Sequence, residues 1–334
     1  MRRLICAVII LVWLPMLPAR AGAVLDRVLA RGKVVCSVDQ TPGFGGFDNK
    51  GVAVGFEVDL CRGIAAAVLK NPQAIEIQRV TTKYKFHALA AGELDVVFGM
   101  TTWTFDRDTT MAASFPAVTF YDGQGFMKWS EVQDPWAPAS TICVQSGTTS
   151  AANLHDFLIS QHSAAKVLAL SSSEEKLNAF AERRCDVVTG DATELATHRS
   201  RRALMPGAWV AMAQVISREP LGPVVSDADP EWFDVVRWSI LVPIIAEARG
   251  ITQGNVTESA AANGSNDMEI RRLKGEDPGF GSGLRLDPAW AKRIIAAIGN
   301  YGEIFNRNLT PLGIERGQNA LWTQGGLLYA PPLR

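Results

Sequence analysis

Along the chain, apolar positions change their spacing at intervals that mark separate elements. Arg2 and Arg3 precede an apolar run, Leu4–Leu17, which is followed by the small residues of "PARAGA". The run is about fourteen residues long and is broken by Pro15. A membrane span needs ~20, so the pattern predicts a secretory signal peptide over residues 1–23, cleaved after Ala21 or Ala23. Strands and helices then alternate. "KVVCSV" (33–38) has the β-branched content of a buried strand. In "GFEVDLCRGIAAAVLK", Leu60, Ile64 and Val68 recur at helical spacing. "IEIQRV" (75–80) predicts a second strand, "KFHALAAG" a helix closed by Gly92, and "ELDVVFGM" a third strand.

The same pattern then restarts. "TICVQ" (141–145) predicts a strand, "SGTTS" a polar turn, "AANLHDFLISQ" a helix, "KVLAL" a strand, and "RRCDVVTGD" a strand ending in Asp191. Two extended segments, "DGQGFMKW" (122–129) and "REPLGPVV" (218–225), lie between the halves, and "PEWFDVVRWSILVPIIAEARG" reads as a helical return. The expected fold class is therefore α/β with two lobes, two hinge crossings and a ligand cleft between the lobes. The expected domains are residues 24–124 for the first part of lobe one, 125–220 for lobe two, and 221–334 for the return to lobe one with a C-terminal extension. Residues 252–288, rich in Gly, Asn and Asp, read as loop with short helices and carry no evident chemistry.

Composition narrows the picture. With 334 residues, 47% hydrophobic and 20% charged, the chain suits two moderate cores. The formal net charge is −1, and loss of residues 1–21 removes three arginines and no acid, leaving 30 basic against 34 acidic residues. That balance gives no sign of a nucleic-acid partner. Cys6 lies within the predicted signal, too early for a lipoprotein cleavage site. Four cysteines remain, an even number suited to an oxidising compartment. Of their three pairings, Cys36–Cys61 with Cys143–Cys185 is favoured, since each bridge then joins elements of one lobe.

Candidate chemistry gathers at strand ends. Thr102 and Arg107 follow a strand of lobe one, Thr148 and Thr149 follow the first strand of lobe two, and Asp191 ends a later strand there. In open α/β sheets, ligands collect beyond the carboxyl ends of strands. An arginine grips a carboxylate with two parallel N–H bonds. "GTTS" at a helix start offers hydroxyls and backbone amides to an anion, and Asp191 supplies the opposite sign for an ammonium. Phe44 and Trp103 are candidates for a side-chain pocket. Each feature also has a plainer reading: Arg107 as a surface ion pair with Asp106 or Asp108, "GTTS" and Asp191 as helix caps, Phe44 and Trp103 as packing. Taken together, the placement describes a two-lobe binder of a small zwitterion or acid. The four histidines (His87, His155, His162, His198) show no metal-ligand spacing, and no serine elbow or zinc-protease motif occurs. "GFGGF" (43–47) lacks the ending of a phosphate loop and reads as a flexible loop at the cleft mouth. No metal, cofactor or catalytic residue is expected.

Seven segments, "GFEVDLCRGIAAAV", "TTWTFDRD", "DGQGFM", "ICVQSGTTSAANL", "ISREPLGPVV", "NYGEIFNRN" and "ALWTQGGLLYAPP", resemble in this order the periplasmic amino-acid-binding proteins of ABC importers, solute-binding family 3, in the subgroup serving general L-amino-acid uptake. The resemblance runs from about residue 26 to the last residue. It implies the type II-like periplasmic-binding-protein fold and a periplasmic, monomeric receptor that hands an L-amino acid to an inner-membrane permease. It places the carboxylate-binding arginine on Arg107, its hydroxyl partner on Thr102, the helix-start threonine on Thr149 and the ammonium-binding aspartate on Asp191. The chain departs from that pattern at Gly99 and Met100, where Arg-Asn is common, and at Ala151, where a glutamate is frequent. The alternative from another class is a periplasmic dehydratase-like enzyme on the same fold, which needs a general acid or base in the cleft.

Overall fold

A computed structural model describes residues 22–202, 207–260 and 266–334. The expected signal peptide lies outside the described residues except at its last two positions. Lobe one begins with helix α1 (Ala23–Arg31) and a parallel sheet of β1 (Val34–Ser37), β2 (Ile75–Gln78) and β3 (Val96–Val97), in the order β2-β1-β3. Between these strands run α2 (Phe56–Leu69) and α3 (Lys85–Ala90). Gly92, just beyond α3, has φ +75°, a conformation that favours glycine. A short helix α4 (Phe105–Thr110) and strand β4 (Ala113–Ser114) follow.

The chain leaves lobe one through β5 (Phe120–Asp122) and enters the second sheet directly as β6 (Gln124–Trp129). "DGQGFMKW" is thus a hinge only at its first residues and a sheet strand thereafter. Lobe two adds β7 (Thr141–Gln145), α5 (Thr149–Ser160), β8 (Lys166–Leu170), α6 (Ser173–Ala181), β9 (Val187–Asp191), α7 (Ala192–Arg202) and β10 (Trp209–Ala211), with sheet order β10-β6-β9-β7-β8. The return crossing, β11 (Glu219–Leu221), pairs antiparallel with β5, and β12 (Val225–Ser226) pairs with β4. The two crossings therefore form one hydrogen-bonded ribbon between the lobes.

The nineteen-residue α8 (Pro230–Ala248) lies against lobe one, where buried Trp232 donates from Nε1 to the Asp95 carbonyl at 2.9 Å. Among the described residues no helix is long and apolar enough to cross a membrane. α9 (Met268–Leu273), α10 (Trp290–Ile298) and α11 (Tyr301–Asn308) form a further layer. Gly63 of α2 lets α10 pack closely, since a Cβ there would meet Ile298 Cδ1 at 2.7 Å. The last segment braces the hinge: the Asn319 amide accepts from Tyr121 N at 2.6 Å and donates to Tyr121 O at 3.0 Å. Each lobe has its own core, and each core is fastened by a disulfide, Cys36–Cys61 in lobe one and Cys143–Cys185 in lobe two.

Candidate ligand-binding cleft

The segment after β3 is extended, and Thr102 pairs with Leu221 beside the hinge strand β11. Side chains alternate along such a segment. Thr102 faces the cleft, and Trp103 faces away, stacked on Phe115 with ring centroids 5.7 Å apart. Thr104 then caps α4 by accepting from Arg107 N. Arg107 thus falls in the first turn of the helix, with its side chain turned back toward the strand end. Its Nη1 donates to the Thr102 carbonyl at 2.8 Å, and its guanidinium lies 5.6 Å from the Phe86 ring. Only 8% of Arg107 is exposed, whereas Asp106 and Asp108 are exposed and no salt bridge joins them to it. The surface ion-pair reading therefore does not hold for this arginine. Burial draws its pKa downward, against the attraction of Glu219 and Asp191.

In lobe two, β7 ends at Gln145 and α5 starts at Thr149. Thr148 is the N-cap: its hydroxyl accepts from Ala151 N at 3.2 Å and donates to Gln145 O at 2.7 Å. That proton is committed, so the hydroxyls of "GTTS" left to donate into the cavity are those of Thr149 and Ser150. Thr149 Oγ1 lies 3.3 Å from Thr102 Oγ1 across the cleft, a direct contact between the lobes. The amides of Thr149 and Ser150, being first in the helix, have no intrahelical acceptor. Buried Gln124, at the crossing, fastens this turn by donating from Nε2 to Ser150 O and to Thr189 Oγ1, both at 2.9 Å.

Asp191 stands opposite Gln124 in the β6–β9 pairing, so the register carries it to the hinge. It does not cap α7. The amides there are met by Asp122 Oδ2, which accepts from Thr193 N at 3.2 Å, and by Gly123 O, which accepts from Ala192 N at 2.8 Å. The Asp191 carboxylate accepts no hydrogen bond from the described residues. Burial raises its pKa well above the usual carboxylate range, and Asp122, Glu194 and Glu219 reinforce the shift while Lys176 opposes it. Such a carboxylate favours a cation beside it.

Thr102, Arg107, Thr148, Thr149 and Asp191 line one cavity of about 50 Å³ between the lobes. Phe44 and Trp103 are corrections, since neither lines it. Trp103 is turned out by strand alternation, as above. Phe44 is 1% exposed and packs edge-on against Phe56 and Phe120, at 6.0 and 5.0 Å. Its glycine-rich loop is thereby pinned to the core rather than free at the cleft mouth. The loop also passes close to Gly55, where a Cβ would come within 2.3 Å of Phe44 O.

Sequence reasoning missed four charged residues of the cavity: Asp39, Lys85, Lys176 and Glu194. Lys85 is buried and donates from Nζ to Thr101 Oγ1 at 2.7 Å and to Gly99 O at 3.3 Å; burial pushes its pKa down to about 8. Lys176, 2% exposed, donates to Glu194 Oε2 at 2.8 Å, and Ser173 donates to the other oxygen. Burial works against the Glu194 charge, yet Lys176, His198 and Ser173 hold its pKa below the usual range. Gly190 makes room for this pair: a Cβ there would meet Glu194 Oε2 at 2.4 Å and Lys176 Nζ at 2.6 Å. Behind the cavity, Glu57 accepts from Gly99 N at 3.0 Å and Met100 N at 2.8 Å, fixing the turn that leads to Thr102; burial raises its pKa to about 7. A signal for the lysines exists. Lys85 precedes buried Ala88 and Leu89 at i+3 and i+4, as Lys176 precedes Ala179 and Phe180, so each occupies a place in its helix's buried stripe.

Two α/β lobes joined by a paired hinge ribbon, with a charged cavity closed between them, define the two-lobe class of ligand-binding proteins. The chain belongs to the bacterial extracellular solute-binding proteins, family 3, whose family model matches residues 34–240. A glutamate/glutamine/aspartate/asparagine-binding protein of Rhodobacter capsulatus is 44% identical over 327 residues, 95% of each chain. A general L-amino acid-binding periplasmic protein of Rhizobium johnstonii is 40% identical over 326 residues, covering 95% of this chain and 94% of its own. Among solved structures, an ABC transporter periplasmic binding protein from Brucella ovis with glutathione bound has a TM-score of 0.87 at 37% identity, covering 93% of this chain and 99% of that one.

Proposed function

We propose that the protein is the periplasmic receptor of an amino-acid ABC importer, which closes on an L-amino acid between its lobes and presents it to an inner-membrane permease. One observation carries this reading. A buried arginine on one lobe and a half-buried carboxylate on the other, which accepts no hydrogen bond from the described residues, face the same small cavity. Arg107, the Thr102 and Thr149 hydroxyls and the first amides of α5 receive the α-carboxylate, and Asp191 receives the α-ammonium. Thr148 holds the turn. The rest of the lining is mostly polar, with Asp39, Lys85, Lys176, Glu194 and Ser173, which suits a polar side chain over an aliphatic one. The ligands for which these relatives are named, free amino acids in two cases and glutathione in the third, all carry an α-amino-acid head. In this reading residues 1–23 direct export, residues 24–124 and 221–334 form lobe one with its extension, residues 125–220 form lobe two, and the receptor acts as a monomer without cofactor or catalysis.

A thermal-shift screen of the mature protein against the twenty amino acids and a panel of small organic acids tests this. A ligand specific to the folded state adds about 2.7 kcal/mol at a hundredfold excess over Kd. Shifts with organic acids alone would overturn the amino-acid reading. Lys85, with its pKa down to about 8 in the cavity wall, is the observation that favours the enzymatic alternative, a dehydratase-like activity. Its Nζ is already engaged with Gly99 O and Thr101 Oγ1, which argues for a structural role. NMR of the bound amino acid recovered after long incubation separates the two: receptor function returns it unchanged.

A further inference from the structure

The cleft continues beyond the α-carbon clamp. Asp39, Thr82, Gln145 and Ser173 line the inner cavity and also a second one of about 280 Å³, again built from both lobes. The inner chamber, about 50 Å³, is much the smaller. The neck between them is polar. Gln145 of lobe two donates from Nε2 to Thr82 Oγ1 of lobe one at 3.3 Å, and Asp39 beside them accepts no hydrogen bond from the described residues. Two polar side chains and an open acceptor suit the carbonyl and N–H of an amide better than a methylene chain.

The outer chamber holds a cation that is already oriented. With the Gln40 amide oxygen facing it, Arg79 donates from Nε at 2.6 Å and from Nη1 at 2.9 Å, and its guanidinium lies 4.6 Å over the Phe47 ring. No salt bridge engages Arg79 among the described residues, so the Nη2 edge can meet an anion. The other charged or titratable groups lining this chamber are Asp39 at the neck, and Glu174 and His198 from lobe two. Because Glu174 comes from the opposite lobe, a bound anion is best placed on the Arg79 side.

Resting on the amino-acid reading above, we propose that the site takes amino acids elongated through the side chain, of the γ-glutamyl-peptide class: the head lies in the clamp, the amide passes Gln145 and Thr82, and a terminal carboxylate meets Arg79. The probes are glutamine, theanine and γ-glutamylglycine, titrated by calorimetry into wild type and Arg79→Gln. Glutamine has the same head and amide; theanine adds length without charge; γ-glutamylglycine adds the carboxylate. Arg79 is exposed, so its replacement leaves the core intact. The expected result is that γ-glutamylglycine binds at least as tightly as glutamine and tighter than theanine. Arg79→Gln should weaken it about tenfold while changing glutamine by less than about twofold. The proposal is overturned if γ-glutamylglycine binds tenfold or more weakly than glutamine, or no tighter than theanine, or if Arg79→Gln affects both ligands alike or neither. Loss of γ-glutamylglycine alone defeats only the outer chamber. Failure of all three probes together with every free amino acid defeats the clamp itself.

Discussion

The two walls of the cleft each carry charges of both signs, but they dispose of them differently. On the wall of lobe two, Lys176 and Glu194 satisfy one another at 2.8 Å, and Asp191 remains over. On the wall of lobe one, Lys85 is held by a carbonyl and a hydroxyl, and the Arg107 guanidinium, among the described residues, donates to a backbone carbonyl and lies over the face of Phe86. Lobe two therefore leaves the Asp191 carboxylate for something else to neutralise, and lobe one leaves the Arg107 guanidinium, while the lobe-one carboxylate of Asp39, likewise without a hydrogen bond from the described residues, is under the attraction of Lys85. Arg107 and Asp191 each owe that freedom to a neighbour that takes over the local task. Thr104 caps α4, so Arg107 is not needed there, and Asp122 with Gly123 meets the amides at the start of α7, so Asp191 is not needed there. In the proposed reading, Arg107 and Asp191 on facing walls would select a zwitterion and fix its direction in the cleft.

The largest expected effect comes from removing the positive side of this pairing. Arg107→Met keeps the stem but leaves a ligand carboxylate buried without its main donor, which should cost about 3–5 kcal/mol, or two to four decades in Kd by calorimetry. Asp191→Asn should be milder, since the amide oxygen still accepts a hydrogen bond: about 1.5–3 kcal/mol against amino acids and little against their deaminated analogues.

A pH titration sharpens the comparison further. Burial and the carboxylates of Asp122, Glu194 and Glu219 raise the Asp191 pKa in the free protein, whereas a ligand ammonium beside it must lower it. Binding therefore releases a proton. Affinity should fall as pH drops through the raised pKa, by at most about tenfold per pH unit, and Asp191→Asn should flatten that slope. Calorimetry in buffers of different ionisation enthalpy measures the proton count directly.

The smallest effect expected is that of Thr148→Ala. Loss of the N-cap should lower stability by about 1 kcal/mol in chemical denaturation, with a change in Kd of no more than about threefold, since the Thr148 hydroxyl is already committed to Gln145 O and Ala151 N within the turn.

Much of the scaffold was legible because each lobe repeats strong local signals. The apolar spacing of α2, the β-branched strands and Gly92 after α3 all agree with the structure. Cysteine pairing could be reasoned from lobe membership alone and matches the observed bridges. The role of "DGQGFMKW" as a sheet strand was not legible, since a hinge and an edge-to-interior strand share the same extended pattern. Phe44 and Trp103 were misplaced for a related reason. An aromatic beside glycines or threonines signals burial, but only the strand's alternation and the loop's closure decide whether it faces a cavity or a core. Lys85 and Lys176 escaped notice because lysine in a helix ordinarily marks a solvated face. Recognising them requires seeing that each falls in line with buried residues of its own helix, and that a carboxylate or carbonyl from another element meets it there.

In the proposed reading, Arg107 and Asp191 recognise opposite ends of one α-carbon, and that assignment can be checked in a single experiment. It is tested most directly by titrating one bound L-amino acid, its deaminated analogue and its carboxamide into wild type, Arg107→Met and Asp191→Asn. The predicted result is a crossed pattern: Arg107→Met loses two to four decades in Kd for the amino acid but little for the carboxamide, and Asp191→Asn loses affinity for the amino acid but not for the deaminated acid. Arg107→Met binding the amino acid within about threefold of wild type, a change of under ~1 kcal/mol, would contradict the account.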